Sequence, residues 1–182
     1  LQHKRKGKEM AKNTIRMYLF FSAVSRLSFA FGFTTYVVFL MSRGLSIFET
    51  SLVNMVFFFA LFVFEIPTGA LADVFGRKLS FVLAGITTAL GFFFYYISQS
   101  FWGFVLAEAT IAIGSTLASG AFQAWLVDKL KYHDYQGKLN KVFSHEQMLD
   151  GVATIVGGVI GAYLGKFNLA WPWLAGAIGM SL

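Results

Sequence analysis

Long apolar runs separated by short polar segments dominate the sequence, and their lengths predict membrane-spanning helices. A helix of about 20 apolar residues crosses the hydrocarbon core of a bilayer. Runs of roughly this length recur along the chain, and each contains at most two acidic or basic residues. We expect six spans, the last of them cut off by the end of the chain, over residues 17–41, 48–71, 79–97, 101–127, 142–164 and 169–182.

The composition agrees with an all-α membrane protein. Hydrophobic residues make up 57% of the chain, charged residues 13%, and the mean hydropathy is +0.64, whereas soluble domains average about 45–50% apolar and about 25% charged residues. The 22 Phe and 18 Gly suit helices that face lipid with rings and each other with small residues. With no cysteine, disulfides and cysteine metal sites are excluded. No metal-ligand spacing, catalytic nucleophile motif or phosphate loop appears either, so we expect neither an enzyme nor a cofactor.

The distribution of basic residues predicts how the chain is oriented. The net charge is +6, but the basic residues form clusters between the apolar runs, which is typical of membrane topology and not of a nucleic-acid surface. Loops rich in Lys and Arg stay in the cytoplasm. We therefore expect residues 1–16 to form a basic flank in the cytoplasm. Residues 17–182 follow as the transmembrane region, which we expect in the plasma (cell inner) membrane. The same side carries 12 of the 15 basic residues: Lys4, Arg5, Lys6, Lys8, Lys12, Arg16, Arg77, Lys78, Lys129, Lys131, Lys138 and Lys141.

A compact charged motif lies between the second and third predicted spans, on the cytoplasmic side. It has the form Gly69-x-x-x-Asp73-x-x-Gly76-Arg77-Lys78. The two glycines allow a tight turn between helices, and Asp73 can cap the start of the third helix. Arg77 and Lys78 can anchor at the level of the lipid headgroups. The alternative is a polar turn that only carries topogenic charges.

This motif resembles the signature loop of the major facilitator superfamily of secondary transporters. It departs from the usual pattern at Val74, where a basic residue often follows the aspartate. The resemblance implies the N-terminal half of such a transporter, with six helices arranged as two inverted three-helix repeats. It also implies that the loop latches the two halves of the transporter in one conformation, and that Arg77 pairs with an acid at the end of the fourth helix, here Asp128.

Two further signatures of the superfamily are only partly present. The fourth span carries Glu108, followed by Gly114, near the place where proton exchangers often have an arginine. The fifth span contains residues 157–162, Gly-Gly-Val-Ile-Gly-Ala, which resemble a glycine-rich antiporter signature without its proline. Exchange and symport therefore both stay open.

Ionisable residues inside the spans are candidates for coupling or substrate binding, because each costs roughly 2.5–3.5 kcal/mol on insertion scales. Depth along the helices favours pairing of Arg26 with Glu65 or with Asp150, either as a structural ion pair or as a site that binds an anionic group. Glu108 has no basic residue in its own span, and a carboxyl group in apolar surroundings can carry a proton. The alternative is that Glu108 lines a water-filled vestibule at the outer face. Glu146 shares a helix face with Asp150 near the cytoplasmic boundary, where we expect both to be solvated.

Small and aromatic residues predict how the helices pack. Gly157, Gly161 and Gly165, with Gly158 beside them, form a doubled G-x-x-x-G ridge on the fifth span, and Gly114 lies on a similar face of the fourth. We expect the phenylalanine rings of the runs 57–59 and 92–94 to face the lipid. Trp102, Trp171 and Trp173 predict an aromatic belt at the outer interface. Aromatic residues on the inner face could line a pocket for a lipophilic substrate.

The function that the sequence favours is secondary transport of a small solute, a drug or metabolite among the candidates, driven by a proton gradient through alternating access. A single half cannot enclose a midplane site, so the chain would need the C-terminal half of the same transporter or a partner half, besides the lipid bilayer and its substrate. We expect the chain, which begins at Leu1, to be a fragment. The alternative is a scaffold or receptor-like protein that keeps this fold without transport.

Overall fold

A computed structural model describes the backbone of residues 2–181 and the side chains from residue 6 onward. Those residues form helices and connecting turns, with no β-strand among them. The helices are α1 (Gln2–Phe33), α2 (Tyr36–Ser42), α3 (Ile47–Phe75), α4 (Arg77–Ile97), α5 (Phe101–Ala118), α6 (Ala121–Tyr132), α7 (Leu139–Phe167) and α8 (Trp171–Met180).

The first predicted span is part of a longer helix that bends near its end. The basic flank is helical and continues without a break into the span, so α1 covers 32 residues. The helix breaks at Thr34 and Thr35, whose hydroxyls donate to the carbonyls of Ala30 and Gly32. Side-chain bonds of this kind often bend helices. Across this break, α2 is bent by 42° relative to α1.

The turn between α3 and α4 is shorter than the sequence predicts. The second span extends to Phe75 and only Gly76, with φ of 92°, separates the two helices. The expectation that Asp73 caps the third span is therefore wrong, because Asp73 lies in the last turn of α3. Gly69 lies inside α3 as well, with open space around its Cα. Gly76 alone makes the turn, at a backbone conformation that favours glycine.

The fourth span and the linker after it are also more helical than expected. Residues Phe101–Tyr132 form one apolar stretch of 32 residues, interrupted only at Ser119 and Gly120, where Gly120 has φ of 68°. The segment between the fourth and fifth predicted spans, residues 128–141, contains the end of α6 and the start of α7, and only residues 133–138 lie outside both helices.

Four helical stretches are long and apolar enough to cross a membrane, and α1 with α2 makes a fifth if the bent pair counts as one span. The sixth predicted span corresponds to α8, whose ten residues extend over only about 15 Å. The structure is therefore an all-helical bundle of membrane spans, and the prediction of six spans, the last of them cut off, is not confirmed.

Two groups of contacts define the ends of the bundle. At one end Ala11 of α1 packs against Leu126, Leu130 and Val142 from α6 and α7, so the basic flank is docked on the bundle. At the other end the Arg43 guanidinium donates to the side-chain oxygen of Gln99, joining the α2–α3 turn to the α4–α5 turn. The basic flank and the α6–α7 connection thus lie at one end, and the α2–α3 and α4–α5 turns lie at the other.

An aromatic cluster fills the core near the second end. Trp173 is 1% exposed and stacks on Tyr95 at 4.1 Å between ring centroids. The prediction that Trp173 belongs to an interfacial belt is wrong, whereas Trp102 and Trp171 are exposed. Phe92 is also buried in this cluster, contrary to the expectation of lipid contact, while Phe58 and Phe59 are exposed. Helical position, and not local sequence, decides which ring of each run turns inward.

Candidate functional site

A cavity of about 1440 Å³ runs along the inner faces of the bundle. Its lining comes mainly from α1, α4, α5, α6 and α7, together with Phe57 of α3 and the last residues of α8. On α1 the lining extends from Met17 to Phe33, which corresponds to roughly 24 Å along the helix axis. Most of the lining is aromatic or small, so the few charged residues in it stand out.

Arg26 and Asp150 form an ion pair across the α1–α7 interface, inside this cavity. The Arg26 Nε lies 3.5 Å from the Asp150 Oδ2. The Arg26 side chain is 54% exposed and that of Asp150 20% exposed, so both reach the cavity space. The Ser22 hydroxyl oxygen lies 3.0 Å from an Asp150 carboxylate oxygen and 3.3 Å from a Glu146 carboxylate oxygen, so its single proton is shared between the two acceptors. Of the two partners that the sequence allowed for Arg26, the structure selects Asp150.

Glu65 lies elsewhere, on the exposed side of α3. Its Oε1 accepts a hydrogen bond from the Ser119 hydroxyl at 2.9 Å. Ser119 is at the break between α5 and α6, so this bond joins α3 to the only interruption of the fourth span. Glu65 does not line the cavity.

Glu108 is buried in the aromatic cluster and is 1% exposed. The Tyr95 hydroxyl donates to its Oε2 at 2.9 Å, and the Tyr36 hydroxyl lies 3.4 Å from its Oε1. These donors compensate for the loss of water around the carboxyl group. The interpretation of Glu108 as a residue of a wet outer vestibule is wrong in this structure, because the side chain has almost no access to solvent.

The charged motif between α3 and α4 forms the contact that the resemblance implied. The Arg77 guanidinium lies 2.6 Å from the Asp128 carboxylate, across 51 residues of sequence. Asp73, Gly76 and Lys78 line a shallow depression of about 700 Å³ around this pair. The Arg77 and Asp128 side chains are 39% and 60% exposed. The bond ties the α3–α4 turn to α6, and Gly69 takes no part in it.

The small residues bring two helix pairs into backbone contact. A Cβ at Gly157 would meet the Leu27 carbonyl at 2.7 Å, and one at Gly161 would overlap the Phe31 backbone. Gly158 and Gly165 lie against the side chains of Thr34 and Thr35, at the break after α1. This ridge therefore holds α7 against α1. On α5, Gly114 lies against Thr88 and Ala84 of α4.

Several residues of these sites have no signal in the sequence. Tyr36 and Tyr95, the partners of Glu108, are ordinary aromatic residues of two apolar runs. Ser22 and Ser119, which contact Asp150 and Glu65, are ordinary small polar residues in apolar helices. Only the folded arrangement joins them to their carboxylates.

Comparison with known proteins identifies the fold. The family model of the Major Facilitator Superfamily matches residues 18–182. The chain belongs to this superfamily. The match begins where α1 enters its apolar part and continues through α8, so it covers every candidate residue described above and all of the cavity lining except Met17.

Individual relatives within the Major Facilitator Superfamily are distant. The chain is 27% identical over 161 residues, 85% of its length, to the uncharacterized MFS-type transporter YxaM of Bacillus subtilis. It is 29% identical over 60% of its length to the multidrug resistance protein MdtH of Photorhabdus laumondii, and 24% identical over 72% to the sugar carrier protein C of Ricinus communis. The chain spans 38%, 26% and 24% of the lengths of these relatives. No solved structure matches it.

Proposed function

We propose that the chain is one half of a secondary transporter that moves a small solute across the membrane by alternating access. The observation that supports this most is the cavity of about 1440 Å³ with an ion pair in its wall, in a chain of the Major Facilitator Superfamily. The relatives are described as transporters, a multidrug resistance protein and a carrier. A drug or metabolite is the kind of solute that these descriptions favour, and none of them suggests an enzyme.

The packing of the helices supports two three-helix repeats. We number the spans one to six as α1 with α2, α3, α4, α5 with α6, α7 and α8. The spans that pack most extensively against each other are three and four, one and five, two and four, three and six, and one and six. Exchanging spans one to three with spans four to six reproduces this set of pairs. Such internal symmetry is typical of secondary transporters, which rock one part against another around a midplane site.

The orientation proposed for the bundle has the N-terminus and the Arg77–Asp128 contact in the cytoplasm, in the plasma membrane. The Lys and Arg residues are concentrated at the end of the bundle where α1 begins and α6 meets α7, and the positive-inside rule assigns such an end to the cytoplasm. The partner required to close the cavity is the C-terminal half of the same transporter or a separate half.

Coupling to a proton gradient is the second part of the proposal, and Arg26 with Asp150 is its favoured site. Both side chains reach the cavity, so protons and solute have access to them. A proton on Asp150 would remove the negative charge that holds Arg26, and the two helices would then be free to separate at this point. Glu108 is the second candidate, with its proton exchanged only when the Tyr36 and Tyr95 hydroxyls move apart. Glu65 is the third, through its bond to Ser119.

Solute flux in vesicles tests this proposal. The complete gene product is reconstituted, and uptake and release of candidate drugs and metabolites are measured with and without an imposed pH gradient. Arg26→Ala and Asp150→Asn should each lower the proton-driven flux at least tenfold, and Glu108→Gln tests the buried candidate in the same assay. Glu9→Gln, on the exposed face of the cytoplasmic flank, is the control and should leave the flux unchanged.

Two outcomes would contradict the proposal at different levels. Parent-like flux in the Arg26, Asp150 and Glu108 variants would remove the coupling residues and leave transport in place. Absence of flux for every solute, in a protein that inserts and melts normally, would favour the scaffold or receptor-like alternative.

A further inference from the structure

Four aromatic rings form a continuous surface on one side of the cavity, which we term the aromatic wall. It consists of Phe21 on α1, Phe81 on α4, and Phe122 and Trp125 on α6, all of which line the cavity. The Phe81 and Phe122 rings are stacked with centroids 4.1 Å apart. Phe122 stacks on Trp125 at 5.9 Å, and Phe21 meets Phe81 edge-on at 6.3 Å. Each ring is only partly buried, so part of its surface faces the cavity.

Two carboxylates on α7 share the cavity with the aromatic wall, and only one of them is neutralised. Arg26 contacts Asp150. Glu146, one turn earlier, accepts one hydrogen bond, from Ser22. Within residues 6–181, no Lys or Arg nitrogen lies within 4.0 Å of its carboxylate. Around Ser22 the cavity therefore carries one excess negative charge.

Lys78 is the other basic residue in the cavity lining. It is exposed and also borders the surface depression around Arg77 and Asp128, which places it at the cytoplasmic mouth. A lysine at this level extends its ammonium group toward water and the headgroups. It therefore weakens the negative potential of the cavity without neutralising Glu146.

We propose that the cavity binds lipophilic monovalent organic cations, with the positive charge held between Glu146 and the aromatic wall; this inference rests on the transport function proposed above. Aromatic faces attract cations through the ring quadrupole, more strongly where water is excluded. The apolar lining accommodates the hydrocarbon part of such a ligand, and the unpaired carboxylate supplies the opposite charge. An anion of the same shape meets the same apolar surface but is repelled by Glu146.

Tetraphenylphosphonium and tetraphenylborate test the charge requirement, because they have nearly the same size and shape and opposite charge. Binding of each ion to the complete gene product, purified in detergent, is measured by equilibrium dialysis. We expect saturable binding of tetraphenylphosphonium, and binding of tetraphenylborate that is at least tenfold weaker. Equal binding of the two ions would overturn the proposal, because it would indicate partition into an apolar surface only.

Variants locate the site. Glu146→Gln should weaken tetraphenylphosphonium binding roughly tenfold and Phe122→Leu roughly threefold, in line with cation–π and ion-pair strengths at partly desolvated sites. Lys78→Gln should strengthen binding, because it removes a repelling charge. Glu9→Gln and Phe58→Leu make the same changes at exposed positions outside the cavity and should bind like the parent. Thermal melts of each variant establish that it is folded.

The outcomes separate this inference from the transport function. Unchanged binding in both Glu146→Gln and Phe122→Leu overturns the site. Transport of another solute by a protein that does not bind tetraphenylphosphonium overturns the cation site alone. Charge-selective binding that depends on Glu146, in a protein that moves no solute, supports the site and contradicts the transport function.

Discussion

At the scale of single residues, the structure shows Glu108 as a buried carboxyl group that two tyrosine hydroxyls contact. The sequence places a lone carboxyl group in an apolar span, which makes it notable. It does not supply the donors, because Tyr36 is 72 residues away and Tyr95 is 13 residues away on another helix. Contacts of that separation depend on how helices pack, and apolar runs of similar composition do not encode which of their residues meet.

The Glu108 cluster predicts a stability effect for Tyr95→Phe. Removing the hydroxyl leaves a buried carboxyl group with one donor fewer, and such a loss costs about 1–3 kcal/mol. We expect the melting temperature of the purified protein to fall. Tyr132→Phe removes a hydroxyl from a side chain that is 80% exposed and should leave the melting temperature unchanged. Equal effects of the two substitutions would contradict the importance of this hydrogen bond.

The glycine ridge on α7 predicts a steric effect. Gly161→Ala places a methyl group against the Phe31 backbone, and overpacking of this kind costs about 1–3 kcal/mol. Gly151→Ala, on the same helix, meets open space and gains up to about 1 kcal/mol of helix propensity. Thermal melts should therefore shift down for the first variant and stay level or rise for the second. A shift of the same sign in both would show that helix propensity, not close packing, governs this face.

At the scale of elements, the hydrophobic pattern located the apolar helices but not their ends. Apolar length is readable from the sequence because a membrane span must satisfy its backbone hydrogen bonds as a helix. The ends are different, since nothing requires a helix to stop where it leaves the hydrocarbon. Hence α3 continues through Asp73 to Phe75, α1 includes the basic flank, and the fourth span extends to Tyr132.

The contact between Arg77 and Asp128 predicts an effect on transport that exceeds its effect on stability. An exposed ion pair contributes about 0–1 kcal/mol, so Arg77→Ala and Asp128→Ala should insert and melt nearly like the parent. If the pair latches one conformation, each should change the transport rate severalfold. The double exchange Arg77→Asp with Asp128→Arg should recover part of the parent rate. Parent-like transport in both single variants would contradict the latch.

At the scale of the whole molecule, the family was readable from one loop and the spacing of the apolar runs, and the cavity was not. The motif from Gly69 to Lys78 is short enough to be recognised in sequence, and residues 18–182 match the superfamily. The cavity takes lining residues from α1, α3, α4, α5, α6, α7 and α8. The pairing of Arg26 with Asp150, which leaves Glu146 without an ion-pair partner among the described residues, depends on how those helices pack.

Accessibility of one cavity residue from the two sides of the membrane tests alternating access. Ser25 lines the cavity, and the chain contains no cysteine, so Ser25→Cys introduces a single reactive thiol into these 182 residues. A membrane-impermeant maleimide is applied to right-side-out and to inverted vesicles that contain the complete gene product. Any cysteine outside these 182 residues is replaced beforehand. Alternating access predicts labelling from both sides, with the ratio shifted by transported solute or by a pH gradient. Labelling from one side only, under every condition, would contradict it.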